Sequence, residues 1–85
     1  MEIDVPEYSP AGLPFVWDDE AQISVSMDPT FATVSANRDG LVTLARHLLT
    51  LAQPSVPIGN HFELDDLNGF EEGSLGLRVV LVDGA

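Results

Sequence analysis

Only one stretch of this chain repeats its apolar residues at helical spacing: NRDGLVTLARHLLTLAQP, residues 37–54. At 100° per residue, Leu41, Leu44, Ala45, Leu48, Leu51 and Ala52 share one face, with Val42 and Leu49 on its flank. Asp39, Thr43, Arg46, His47, Thr50 and Gln53 take the opposite face. Asn37 can accept a backbone N–H as N-cap, Asp39 complements the positive end of the dipole, and Pro54 ends the helix. Gly40 weakens the first turn by up to about 1 kcal/mol relative to alanine. A lone helix with so wide an apolar arc has to lie across another apolar layer. The expectation is that the leucines face a sheet and the polar residues face water.

The flanking sequence supplies that layer. QISVSM alternates, with Ile23, Val25 and Met27 on one side and Gln22, Ser24 and Ser26 on the other. Asp28-Pro29 punctuates the chain before TFATVSA, so residues 21–36 read as a β-hairpin. After the helix, HFELD alternates with Phe62 and Leu64 inward and His61, Glu63 and Asp65 outward. LNGFEEG is a turn. SLGLRVVLVDG is a strand with Leu75, Leu77, Val79 and Leu81 on its inner face and Arg78, Val80 and Val82 on its outer one, closing a second hairpin over 61–83.

Residues 1–20 are less regular. MEIDV alternates like a short edge strand, and PEYSPAGLP is a connector broken by three prolines and a glycine. Phe15 and Trp17 are placed to anchor that connector on the core. The whole is expected to be one acidic α+β domain over 1–85. Its two layers are an antiparallel sheet of about four to five strands and one amphipathic helix across one face, in the order β-hairpin–α–β-hairpin.

Size and charge narrow the function. A chain of 85 residues buries only about 60–65% of the surface its unfolded form exposes, leaving little for a deep substrate cavity. Without cysteine there is no disulfide and no thiolate zinc site, which suits the cytoplasm. Residues 1–20 have neither the basic start nor the apolar run of a secretory leader, and no stretch approaches the length of a membrane span. Fourteen acidic residues stand against Arg38, Arg46 and Arg78, for a net charge of −11. Such a body repels phosphate backbones and anionic membranes, so neither nucleic acid nor membrane is an expected partner. The acidity either serves solubility or steers the protein toward a cationic partner, which raises association rates by roughly 10–1,000-fold.

Chemistry finds little purchase. His61, Glu63 and Asp65 lie on one strand face about 6.5–7 Å apart, a spacing that holds a metal only if the strand bends or another element adds ligands. The alternative is a solvated polar face, and no metal or cofactor is expected. Asp65-Asp66-Leu67-Asn68-Gly69 echoes part of a calcium loop but lacks its alternating ligands and terminal glutamate. No G-x-S-x-G, H-E-x-x-H, G-x-G-x-x-G or phosphate-loop pattern is present. The pairs Asp65/Asp66 and Glu71/Glu72 are adjacent, so on a strand they point to opposite faces. No catalytic residue is assigned.

The stretch from Asn37 to Val80 resembles the immunity protein 32 family of bacterial polymorphic toxin systems. The likeness is carried by NRDGLVTLARHLLTLAQ at 37–53, VPIG at 56–59, HFELD at 61–65 and NGFEEGS at 68–74. It covers about half the chain and none of residues 1–36. Two positions depart from the family pattern. Glu63 stands where a histidine or another polar residue is usual, and Arg78 where an acidic one is common. The resemblance implies a cytoplasmic, non-catalytic antitoxin-like protein, monomer or homodimer, that occludes the active site of a cognate toxin. A cationic nuclease would suit the acidic surface. Under that reading His61, Glu63, Asp65, Asp66, Glu71 and Glu72 are the candidate contact residues, with Arg46 and His47 on the helix next in line. The competing reading is a structural or self-associating domain, dimerising through an exposed strand edge, whose acidity keeps it soluble.

Overall fold

The alternating segments pair as their period dictates. A computed structural model of the chain describes residues 1–84, with β1 (Ile23–Met27), β2 (Ala32–Ala36), α1 (Arg38–Leu51), β3 (His61–Leu64) and β4 (Leu77–Val80). β1 and β2 run antiparallel with Ile23 opposite Ala36, Val25 opposite Val34 and Met27 opposite Ala32. Asp28 closes their turn. Its carboxylate accepts the backbone N–H groups of Phe31 at 2.7 Å and Thr30 at 2.8 Å, and these bonds hold its pKa below the ordinary carboxylate value. β3 and β4 pair with His61 opposite Val80, Phe62 opposite Val79 and Glu63 opposite Arg78. Bonds from Gly59 N–H to the Leu81 carbonyl and from Leu81 N–H to that of Asn60 carry the ladder one step further.

The single sheet of four to five strands is not formed. The four strands make two separate two-stranded sheets, and residues 1–5 form no strand. The seam shows why. The free edge of β1 is taken by the irregular segment 71–75: Glu71 N–H donates to the Ile23 carbonyl and Leu75 N–H to the Val25 carbonyl, both at 2.8 Å. Between them the Ser74 hydroxyl accepts the Val25 N–H at 2.6 Å. A side chain thus stands in for one rung of the ladder, and regular strand pairing stops there. The Asp4 carbonyl, which an edge strand would have paired with backbone, instead accepts from Arg46 Nε at 3.1 Å.

Asn37 joins the first hairpin to α1. Its Oδ1 accepts the N–H of Gly40 at 2.7 Å and that of Gln22 at 3.0 Å, while Nδ2 donates to the Glu20 carbonyl at 2.8 Å. The helix therefore starts almost in contact with the entry to β1. A Cβ on Gly40 would collide with the Gln22 carbonyl oxygen, so the residue that costs helix propensity is the one that permits this approach. At the other end Ala52 is the C-cap, its N–H bonded to the Leu48 carbonyl at 3.0 Å.

The orientation of α1 reverses the expectation. Its buried residues are Gly40, Thr43, His47, Thr50 and Leu51, whereas Leu41, Leu48 and Leu49 are 53, 44 and 46% exposed. The face read as polar is turned inward at Thr43, Arg46, His47 and Thr50, while Leu44 and Leu51 pack against the core as expected. Apart from His47 Nε2, the polar groups of that face are discharged locally or onto the N-terminal segment, leaving methyls and a ring to pack. Thr50 Oγ1 donates to the Arg46 carbonyl at 2.7 Å, and Thr43 Oγ1 meets both the N–H and the carboxylate of Asp18 at 3.1 Å. The core beneath comprises Ile23, Val25, Leu51, Val56, Phe62, Leu64 and Phe70, with Phe15 and Trp17 packed against it as expected. Phe62 and Leu64 point inward, also as expected, but Met27 at the hairpin tip is 69% exposed and Leu75 is 47% exposed.

Gly40→Ala separates propensity from packing. On propensity alone it would gain about 1 kcal/mol; the clash with Gln22 is expected to reverse the sign, for a net loss of about 1–3 kcal/mol. A lowered urea midpoint followed by circular dichroism is the expected result, and a raised one refutes the contact.

Candidate functional site

The outward face of the second hairpin and the loop between its strands carry six of the eight candidate residues. His61 and Glu63 project from β3 with about half of each side chain exposed. The Glu63 carboxylate accepts from Arg78 Nε at 2.7 Å across the strand pair and lies 3.5 Å from His61 Nε2. These groups are exposed, so the pair adds less than about 1 kcal/mol to stability. Glu63 and Arg78, the two departures from the resemblance pattern, are thus each other's partners.

Beyond β3 the chain ties itself into a turn. Asn68 Oδ1 accepts the Asp65 N–H at 2.6 Å and its Nδ2 donates to the Glu63 carbonyl at 3.1 Å. Asp65 Oδ1 accepts from Leu67 N–H at 2.9 Å, and the Asp65 carbonyl accepts from Phe70 N–H at 3.0 Å. Asp66 reaches forward to the Gly73 N–H at 3.2 Å. Gly69 has φ +141°, and a Cβ there would sit 2.6 Å from the Trp17 ring, so this turn is the place where the N-terminal segment meets the loop. Phe70 is buried below it. On this anchored loop Asp66, Glu71 and Glu72 are exposed, and Leu67 at 91% exposure stands among them. Sequence reading passed over Leu67. Its signal was an apolar residue out of phase with the alternation, set between Asp66 and Asn68.

The arrangement does not gather ligands. Asp65 is engaged in its own turn, so it does not converge with His61 and Glu63. Among the described residues no group of three or more His, Cys, Asp or Glu is placed to hold a metal ion. An open groove of about 300 Å³ runs beside Glu63, Leu64, Asp65, Gly76, Leu77 and Arg78. Carboxylates presented on a firm loop beside an apolar tip can receive cationic side chains.

Arg46 and His47 lie elsewhere, on the inward side of α1. Arg46 is 14% exposed and pins the N-terminal segment, with NH1 3.3 Å from Asp18 Oδ1 and Nε on the Asp4 carbonyl. His47 is fully buried and offers a partner no surface. Its ring stacks on Phe15 at 4.8 Å and meets Trp17 at 5.1 Å and Phe62 at 5.6 Å edge-on. Nδ1–H donates to the Thr43 carbonyl at 2.7 Å, which fixes the neutral tautomer and leaves Nε2 with no protein partner. The sequence placed His47 on a solvent face because its helical phase matched that of Arg46 and Thr50.

The immunity protein 32 family model matches residues 32–83, well over half the chain. This protein belongs to the immunity protein 32 family. No curated protein and no solved structure matches the chain. The immunity protein 32 segment holds β2, α1, β3, the acidic loop and β4, while β1 and the segment bearing Phe15 and Trp17 precede it. The buried His47 of the family segment is therefore enclosed partly by residues outside it.

That enclosure has a pH signature. Burial is the main cause of a His47 pKa below 6.5; the bond to Thr43 opposes the shift and the Arg46 charge adds to it. In the unfolded chain the imidazole takes up its proton near 6.5, and in the folded chain only at lower pH. The contribution of neutral His47 is full above pH 6.5 and is lost as pH falls through that value toward the folded pKa. The slope approaches about 1.4 kcal/mol per pH unit. Urea midpoints between pH 7.5 and 5 are expected to fall for the native chain and to stay flatter for His47→Phe; equal slopes would exclude His47 as the titrating group.

Proposed function

We propose that this protein binds a cognate toxin and neutralises it without catalysis, by covering the toxin's active site with the acidic face of the second hairpin. The observation that carries this reading is the firm loop 65–74, which presents Asp66, Glu71 and Glu72 around exposed Leu67 in a chain belonging to an immunity family. His61, Glu63 and Asp65 extend the same surface. A toxin acting on nucleic acid needs a cationic groove for phosphates, and a row of carboxylates is the chemistry that competes for it. Leu67 supplies an apolar contact at the centre, the kind of buried anchor that holds a complex once charge has steered it together. Arg46 and His47 have no part in this surface; they hold the N-terminal segment to the helix. Cytoplasmic action follows if the toxin acts there.

The triple reversal Asp66→Lys, Glu71→Lys, Glu72→Lys is expected to weaken toxin binding about 100-fold or more, mostly through slower association, and to abolish growth protection on co-expression. Native binding is expected to weaken as salt rises, and that of the triple variant to change little. Unchanged affinity in a variant that keeps its thermal midpoint would move the contact away from this loop.

A further inference from the structure

The outward face of α1 carries a pattern that the toxin reading does not use. Around Ala45 the exposed or half-exposed apolar residues are placed symmetrically: Leu41 and Val42 precede it by four and three positions, and Leu48 and Leu49 follow by three and four. Arg38 and Ala52 sit seven positions to either side. At 100° per residue all seven lie within about 60° of one line along the helix. Met1 and Ile3 lie beside the N-terminal half of this stripe, and with Arg38, Leu41, Val42 and Ala45 they line a groove of about 330 Å³.

We infer that this stripe is the interface of a symmetric homodimer, in which α1 of a second copy packs antiparallel about a two-fold axis at Ala45. A sequence symmetric about one small residue is what an isologous interface requires. With the axis at Ala45, Leu41 and Val42 of one copy lie level with Leu48 and Leu49 of the other. The C-terminal leucines of each helix thereby enter the groove beside Met1 and Ile3. Alanine at the crossing point lets the helix axes approach to about 8–9 Å.

Charge selects the occupant. The stripe bears one charged residue, Arg38, in a chain of net charge −11, so two copies repel only weakly across it. The same geometry sets Arg38 level with Ala52 of the second copy. Ala52 caps a helix with no basic residue in its last turn, and the guanidinium meets the negative end of that dipole, twice per dimer. A cationic toxin, by contrast, finds no carboxylate on this stripe. A standard interface buries roughly 800 Å² per partner; the helix is about 21 Å long, so Met1 and Ile3 have to be covered along with it.

Sedimentation of the full chain through the micromolar range tests the assignment. The expected mass is twice the 9.1 kDa of one chain, with association strengthening as salt screens the acidic surfaces. Ala45→Glu sets two carboxylates together on the axis and is expected to raise the dimer dissociation constant about 100-fold or more, while toxin binding through the second hairpin is retained. The chain contains no cysteine, so Ala45→Cys is expected to oxidise to a covalent dimer far faster than Thr33→Cys on exposed β2. A monomer at every concentration overturns the proposal, as does equal cross-linking of the two cysteine variants. A monomeric native chain whose Ala45→Glu variant fails to protect against toxin would assign the stripe to the toxin instead. The dimer does not rest on the toxin reading: a native chain that stays monomeric yet protects rejects the dimer alone, and a dimeric native chain whose Asp66, Glu71 and Glu72 reversal still protects rejects the toxin-loop assignment alone.

Discussion

The N-terminal segment has backbone groups and no sheet or helix to bond them, and α1 turns its polar side chains inward to serve that need. Gln53 accepts the Tyr8 N–H at 3.2 Å and donates to the Pro6 carbonyl at 2.8 Å. Arg46 takes the Asp4 carbonyl and Thr43 the Asp18 N–H. Three of these four contacts are half-buried and one is exposed, so each adds modestly, and together they favour a helix whose polar side chains turn inward. Once it faces inward at Thr43, His47 and Thr50, Phe15 and Trp17 have a ring to pack on, and the leucine stripe is left outside.

Much of this was readable in the sequence, and the boundary is instructive. Period-two alternation located both hairpins, Asn37 and Pro54 bracketed the helix, and the inward residues Ile23, Val25, Phe62 and Leu64 followed from phase alone. The face of the helix did not follow. Helical phase sorts residues by type, and a threonine whose hydroxyl bonds its own helix counts as polar while offering a methyl to the core. The partners that satisfy Thr43, Arg46 and Gln53 lie 25 to 47 positions away, beyond the reach of any local pattern. The split into two sheets was hidden for a similar reason, since Ser74 replaces a ladder bond with a side-chain one.

His61 and Glu63 were legible because strand alternation fixes them, and Asp66, Glu71 and Glu72 because charged residues in a turn stay in water, whereas Arg46 and His47 inherited the error in helix phase. The molecule consequently has two unlike sides. Carboxylates crowd the second hairpin and its loop, and an almost uncharged leucine stripe runs along α1. The segment matched by the immunity family contains both, yet its core is completed by Ile23, Val25, Phe15 and Trp17 from the chain before it. Binding surface and structural support come from different stretches of sequence.

The hydroxyl of Ser74 also sets a schedule. Among the described residues the outer edge of β1 is bonded by 71–75, roughly fifty positions downstream, so the first hairpin leaves the ribosome with that edge open. It stays open until nearly the whole chain has been made, and the helix gains its second hairpin just as late. Little of the protein can be banked early: closure is a single, late and non-local event. Until then the nascent chain relies on its own negative charge to keep an unpaired strand and a row of leucines from finding neighbours.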